Sequence, residues 1–373
     1  IGAAFSRKVR YLAYSGLANS RIMKMVFHLT KTVTVSPEKS LDSIKVSVEK
    51  LKEGLPLCVF AEGGISRMGV VFPFKRGVLL LAKKANVPIL PVHVDRVWGS
   101  VFSMSGGKFF NKWPIRFPYP ITVRAGSLIS PNDANTDNVR MQVLELGRQS
   151  FNQRLPSLKV ARNFIKNSVR SDPQLPFIRF STGCIVNRSE FFELILSEKK
   201  LDSTATDEMI QLVLKMTEFF QDVQSATRIW ASYSRLREID LWDQSGFVVD
   251  GNSEIQTELI LWVAFMGKRK VEYTVSSICI TKDWKVENAD FQTISGLSTE
   301  KTGLVSLNYK SSAELVGSFD ELEAGFKENT FGRLLPGLSF ISAPVFGVYG
   351  TDSLLDPISL VKGIDRDAFL IPA

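Results

Sequence analysis

Between residues 57 and 94 the chain runs from a continuous apolar segment, Leu57-Cys58-Val59-Phe60-Ala61, through a glycine-containing turn and a helical pattern over Gly77–Asn86, into a second apolar segment, Val87–Val94. Short unbroken apolar runs bounded by turn residues suit strands covered on both faces. Strand, helix and strand in that order predict an α/β fold, a mixed and largely parallel sheet flanked by helices. The flanks agree. Val9–Tyr14 reads as a short strand, and Ser40 as an N-cap before Leu41, Ile44, Val48 and Leu51 at helical spacing, with Gly54 just past the end. In Gly77–Asn86, Leu79, Leu80 and Ala82 share one side, and Lys83-Lys84 stand where cations favour the helix dipole. Pro88 and Pro91 bracket the second apolar run.

A length of 373 residues favours two domains. The boundary falls at Ser171-Asp172-Pro173 through Pro176, which gives a first unit over 1–150, a basic helical linker over 151–176 and a second, smaller α+β or α/β unit over 177–373. Asn138–Val169 is mostly helical, broken at Pro156. Beyond the boundary, Phe177–Phe180 and Cys184–Val186 flank a hairpin-like Ser181-Thr182-Gly183, and Ser189 caps a helix through Lys199. An apolar segment at 255–266 and a Gly/Pro-rich stretch at 332–350 follow.

Charge is divided sharply. Residues 1–170 hold 27 Lys and Arg against 9 Asp and Glu, whereas 171–373 hold 19 against 29. A basic half suits anionic lipid, a phosphorylated substrate or nucleic acid. The cations are scattered, without a basic-aromatic ribbon or a helix-turn-helix pattern, which argues against nucleic acid. No apolar stretch approaches the roughly 18 residues of a membrane span. Tyr11–Leu29 is fairly apolar but interrupted by Arg21 and Lys24; packing on its own core is preferred to lying on a membrane surface. Cys58, Cys184 and Cys279 lie far apart in apolar runs and read as buried, reduced core residues of a cytosolic protein. With two histidines and no clustered cysteines, no metal site is expected. Because the first residue is Ile1, the chain reads as an excerpt of a longer protein or one trimmed at its start.

The run carrying most chemistry is Phe60-Ala61-Glu62-Gly63-Gly64-Ile65-Ser66-Arg67. It brings a carboxylate, two glycines, a hydroxyl and a guanidinium to the C-terminal end of a strand, where open α/β sheets bind ligands. Glycine lets backbone approach a ligand, and arginine grips phosphate through paired charge-assisted hydrogen bonds. On spacing alone the plainer reading, a tight turn with a surface arginine, is preferred.

The neighbouring residues shift that balance. The run resembles the Phe-Pro-Glu-Gly motif of the lysophospholipid and glycerol-phosphate acyltransferases, with Ala61 in place of proline, and Val87-Pro88-Ile89-Leu90-Pro91-Val92 resembles the same family's downstream apolar proline motif. Val94–Ser100 and Lys112–Arg116 are similar to the acyltransferase half of bifunctional acyl-carrier-protein synthetase/2-acylglycerophosphoethanolamine acyltransferases. The resemblance covers about residues 1–150. It implies transfer of an acyl group from an acyl-carrier-protein or coenzyme A thioester to a lysophospholipid or acylglycerol-phosphate hydroxyl, with no resident cofactor, peripherally at the cytoplasmic face of an anionic membrane. It also implies that Phe60, Glu62, Gly63, Gly64, Ser66, Arg67, Pro88 and Pro91 bind substrate, with Glu62, Gly63 and Arg67 on the glycerol-phosphate part. The family's base lies in a His-x-x-x-x-Asp motif. Here His28 is followed by Val33 and His93 by Trp98, so both histidines read as structural and the motif is expected before Ile1. The fragment alone is then expected to be inactive; a non-catalytic lipid- or acyl-chain-binding protein is the alternative. A second family element, an arginine before the helix that starts near Leu41, has no clear match in Thr34-Val35-Ser36-Pro37; Lys31, Lys75 and Arg76 could supply positive charge instead, though the preferred reading of each is a solvated surface residue. The second half resembles an acyl-adenylating ligase at Ser295–Glu300 and Phe331–Gly337, but has no phosphate-cradling loop ending in Pro-Lys-Gly, which implies a remnant.

Overall fold

A computed structural model of the chain describes residues 1–16, 21–36, 40–66, 69–104, 113, 118–155, 158–196, 206–216, 225–237, 246–250, 254–282, 284, 291–295, 302–309, 312–320, 333–335, 338–341, 347–349, 361–364 and 370–372. Three short strands, β1 (Arg10–Tyr14), β2 (Val33–Val35) and β3 (Leu57–Val59), pair in parallel in the order β2-β1-β3. Helix α1 (Arg21–Leu29) connects β1 to β2, and α2 (Ser40–Lys52) carries the chain past β1 to β3. Helix α2 starts where its cap was expected and gives way to Gly54, whose φ of +80° suits glycine. Ser43 Oγ donates to the Thr34 carbonyl at 3.1 Å, tying α2 to β2.

Helix α3 (Gly77–Ala85) ends at Asn86, which takes the left-handed conformation (φ +53°) and turns its N–H back to the Ala82 and Lys83 carbonyls. Its buried face is Leu81, Ala82 and Ala85, with Leu80 exposed, so the inward stripe lies about one residue from the expected one. A larger departure follows. Only Val92–Asp95 of the second apolar run forms a strand (β4), and it pairs antiparallel with β5 (Thr122–Ala125) rather than joining β3. Pro88 and Pro91 lack the N–H a ladder needs, and before β4 the run contributes one bridge, Ile89 to Ile129. Helix α4 (Thr136–Gln153) starts two residues earlier than expected because Asn135 Oδ1 caps it, accepting the Asn138 N–H at 2.8 Å. Helix α5 (Leu158–Ser171) follows; Pro156, where a break was expected, lies outside the described residues.

In the second half β6 (Pro176–Phe180) and β7 (Ile185–Asn187) form the expected hairpin around Gly183 at φ +82°. Helix α6 (Arg188–Leu196) is capped by Asn187 rather than Ser189. Asn187 Oδ1 accepts from Glu190 N–H at 2.9 Å while Glu190 returns a carboxylate to Asn187 N–H at 2.8 Å. Helices α7 (Asp207–Met216), α8 (Ser225–Arg237) and α9 (Glu254–Met266) accompany strands β8 (Gly246–Asp250), β9 (Lys270–Tyr273), β10 (Ser277–Thr281), β11 (Phe291–Ser295), β12 (Thr302–Tyr309), β13 (Ser312–Asp320) and β14 (Arg333–Leu334). They build a nine-stranded mixed sheet in the order β14-β13-β12-β11-β8-β10-β9-β6-β7. The half expected to be the smaller unit therefore holds the larger sheet. The ligase-like runs fall mostly outside the described residues: 296–300, 331–332 and 336–337 are not among them.

The core explains why the halves stay together. From Leu259 onward helix α9 is apolar on every side, and Leu259 through Phe265 are all buried. One cluster joins these to Phe177, Phe191 and Tyr273 and reaches Val70 and Leu144 of the first half. Each such large side chain contributes roughly 1.5–3 kcal/mol on burial. Phe151 at the end of α4 lies between two guanidinium groups, Arg154 at 4.4 Å and Arg235 of α8 at 4.8 Å from its ring centroid. Arg188 is fully buried; it donates to the Phe265 carbonyl and, at 3.0 Å, to the Ser168 carbonyl, and burial lowers its pKa to about 10. Among the cysteines, Cys58 and Cys279 are half-buried, with thiol pKa values raised by burial. Cys184 is exposed, against expectation, because it sits in the hairpin turn. Among the described residues no helix is long and apolar enough to cross a membrane.

Candidate functional site

Strand β3 ends at Val59, and residues 60–66 leave its C-terminal end as a compact turn pinned from two sides. Gly63 N–H donates to the Phe60 carbonyl at 3.0 Å, and Lys75 N–H donates to the Ala61 carbonyl at 2.8 Å. Gly63 is needed for its backbone: its φ is +64°, whereas the Lys75 side chain, 2.8 Å from a notional Cβ, is flexible and could yield. Gly64 is open, with nothing within 4 Å of a notional Cβ. The first glycine thus makes the turn and the second leaves space above it.

Glu62 is the best-defined polar group of the site. One carboxylate oxygen accepts the Phe72 N–H at 2.9 Å. Burial is the largest influence on its pKa and raises it; the Phe72 hydrogen bond and the charge of Arg140, a buried residue on α4, oppose the shift. Glu62 also borders two spaces. One, of about 410 Å³, is lined by Gly64, Ile65, Phe72–Phe74 and Lys75. The other, of about 1450 Å³, is lined largely by apolar side chains and includes Phe60, Ser66, Pro88 and Pro91. Its size exceeds the roughly 300–1,000 Å³ typical of a small-molecule pocket. Ser66 Oγ is buried and meets no hydrogen-bond partner among the described residues.

The expected site residues therefore come together unequally. Phe60, Glu62, Ser66, Pro88 and Pro91 share the large cavity, and Gly64 lines the small one with Lys75. Gly63 lines neither and acts through backbone geometry. Arg67 lies outside the described residues. Arg140 was missed; it stands on a distant helix, and only its charge on Glu62 reveals it.

The two histidines differ. His28 is exposed on α1. His93, half-buried on β4, borders the large cavity with its ring packed on Gly147 of α4; a Cβ at that glycine would stand 2.9 Å from His93 Cε1. Burial lowers the His93 pKa, with the Asp95 charge opposing and those of Arg154 and Arg124 reinforcing the shift. Asp95 itself is held by Arg154 at 3.2 Å. The carboxylate nearest in sequence thus serves an ion pair to α4.

Comparison with known proteins places the similarity on this segment. Residues 1–95, from the first strand through β4, match the family model described as Acyltransferase. A 1-acyl-sn-glycerol-3-phosphate acyltransferase of Limnanthes douglasii is 31% identical over 105 residues, which cover 28% of this chain and 34% of that protein. The chloroplastic 1-acyl-sn-glycerol-3-phosphate acyltransferase BAT2 of Brassica napus is 34% identical over 58 residues, 16% of this chain and 17% of its own. The crystal structure of the 1-acyl-sn-glycerophosphate (LPA) acyltransferase PlsC from Thermotoga maritima aligns with a TM-score of 0.29 and 18% identity, over 37% of this chain and 64% of that one. The chain spans about a third or less of the length of the curated relatives it matches.

Proposed function

With residues 1–95 matching the acyltransferase family, we propose that the first half serves transfer of a fatty acyl group from a thioester to the free hydroxyl of an acylglycerol-phosphate or other lysophospholipid. The reading rests on one observation above others: the matched segment places Glu62, Ser66 and Pro91 on a common apolar cavity at the C-terminal end of a parallel strand. In the reaction the acceptor oxygen attacks the thioester carbonyl, its proton passes to a base, the new C–O bond forms, and the C–S bond breaks to release a thiol. Glu62, fixed by Phe72 N–H, and Ser66 orient the glycerol part. Lys75, together with Arg67, provides charge for the phosphate beside the smaller cavity.

The base is proposed to come from outside residues 1–373, since His28 does not line the cavity and His93, which does, packs on Gly147. The donor is an acyl-carrier-protein or coenzyme A thioester, and no cofactor is required. Work at the cytoplasmic face of an anionic membrane fits α1, where Met25 and Leu29 are 59% and 71% exposed on a helix that also carries exposed Lys24. That exposure runs against the preferred expectation that Tyr11–Leu29 packs inward. The test is acyl transfer from radiolabelled palmitoyl-coenzyme A to lysophosphatidic acid, with the chain as it stands and with an upstream extension carrying His-x-x-x-x-Asp. A positioned base contributes about 10²–10⁴-fold. Equal turnover by both proteins would refute the outside base. The missing histidine–aspartate pair favours a second reading, a non-catalytic acyl-chain binder; an extended protein that binds but never turns over would establish it.

A further inference from the structure

Helix α8 belongs to the second half, yet four of its residues, Trp230, Tyr233, Ser234 and Arg237, line the large cavity that begins at Glu62. They recur at i, i+3, i+4 and i+7, which is one face of a helix. The opposite face is spent on the core: Arg228, Ile229, Ala231, Ser232, Arg235 and Leu236 are all buried. Trp230, Tyr233 and Ser234 are half-buried and Arg237 is exposed, its guanidinium 5.8 Å from the Tyr233 ring centroid. Protein thus fills the space against one side of α8, whereas on the other Trp230 and Tyr233 pack partly on the core cluster and partly border the cavity. Leu335, next to β14, lines the same space.

We infer that α8 forms the far wall of a binding site for a long-chain acyl group, continuous with the Glu62 site, so that the second half governs which acyl chains the first half accepts. This rests on the acyl-transfer reading of the first half. Three features select the ligand. Among the described residues of this wall, Trp230, Tyr233 and Leu335 are apolar and none is a carboxylate, so a ligand rich in methylene groups gains most from it. The cavity is continuous from Ser66 to α8 and exceeds what a glycerol-phosphate group alone would occupy. Arg237, the charged member of the face, is exposed, so its charge stays in solvent rather than within the cavity.

The experiment measures binding of palmitoyl- and octanoyl-coenzyme A to the full chain by calorimetry. The variants are Ser234→Phe, which intrudes on the cavity, and Trp230→Ala, which removes part of its wall; circular dichroism reports folding. Each methylene denied burial costs about fourfold in affinity. Ser234→Phe is expected to weaken palmitoyl binding by at least about tenfold while octanoyl binding changes by less than about twofold. Trp230→Ala is expected to weaken palmitoyl binding selectively in the same way. Wild-type palmitoyl binding that both folded variants retain overturns the α8 wall and leaves the acyl-transfer reading intact. Equal losses for the two chain lengths overturn it also, because a length-determining wall must discriminate. Failure of the wild type to bind either thioester overturns both the wall and the reading beneath it.

Discussion

Replacing Gly147 with alanine sets two effects of opposite sign against each other. Gly147 is inside α4, and glycine there is about 0.8–1 kcal/mol worse than alanine, so propensity alone forecasts stabilisation. The added Cβ, however, would stand 2.9, 3.2 and 3.3 Å from Cε1, Nδ1 and Nε2 of His93. A rigid ring between strand β4 and a helix cannot yield as the end of a lysine could, and overpacking of this kind costs about 1–3 kcal/mol. The clash outweighs propensity, and Gly147→Ala should destabilise the chain by roughly 1 kcal/mol, a fall of about 1 °C in Tm for a protein of this size. In a His93→Ala background the obstacle is gone and the same change should gain about 1 kcal/mol. Chemical denaturation of the four proteins therefore should give a coupling of about 2 kcal/mol. Stabilisation of the wild-type background by Gly147→Ala, or an equal effect in both backgrounds, would refute the packing role assigned to His93.

Other expectations follow from Glu62, Arg67, α1 and the second half. Burial raises the Glu62 pKa, so the folded state holds this proton more tightly than the unfolded state, and the group's contribution to stability falls as pH rises through the carboxylate range; Glu62→Gln should flatten that dependence in melts across pH. Glu62→Ala should cost about 1–3 kcal/mol by stranding the Phe72 N–H, and a cost equal to that of glutamine would contradict the hydrogen bond. Arg67→Ala should weaken lysophosphatidic acid binding about ten- to a hundredfold and leave palmitoyl-coenzyme A binding nearly unchanged; equal losses would displace Arg67 from the acceptor. Co-sedimentation with anionic vesicles should fall on Met25→Asp with Leu29→Asp and fade with salt, and its persistence would remove α1 from the membrane. Residues 171–373 should give no pyrophosphate exchange with ATP and fatty acids; exchange dependent on Glu300 would show a working ligase.

Local signals in the first half were legible because single residues decide them. Gly54 and Asn86 both take positive φ where α2 and α3 stop, and Gly183 does so in the hairpin. The pairing of β4 was not legible, since an apolar run does not name its neighbour and two prolines shorten the strand. Helix starts were misplaced where asparagine caps: Asn135 begins α4 before the expected Asn138, and Asn187 rather than Ser189 caps α6. In the site, Phe60 to Ser66 could be read from one continuous run. Arg140 and the α8 residues could not, because a stripe such as Trp230, Tyr233, Ser234 and Arg237 has the same period whether it faces core or cavity. Helix α9 shows the converse: with apolar residues on all sides from Leu259 onward it has no face to read there, and tertiary cover alone fixes its place.

That cover arrives late. Helix α9 packs against α7, α8 and β8, which precede it in the chain, but also against β9, β12 and β13, and β13 ends only at Asp320. A ribosome releases the chain from its N-terminal side, so a segment of thirteen residues with Leu259 through Phe265 at its centre leaves the tunnel before its last covering strand exists. During that interval its apolar surface is uncovered. A chaperone surveying translation would find its binding site there, and substitutions that delay β12 and β13 would surface as lost yield in cells long before they altered the finished molecule.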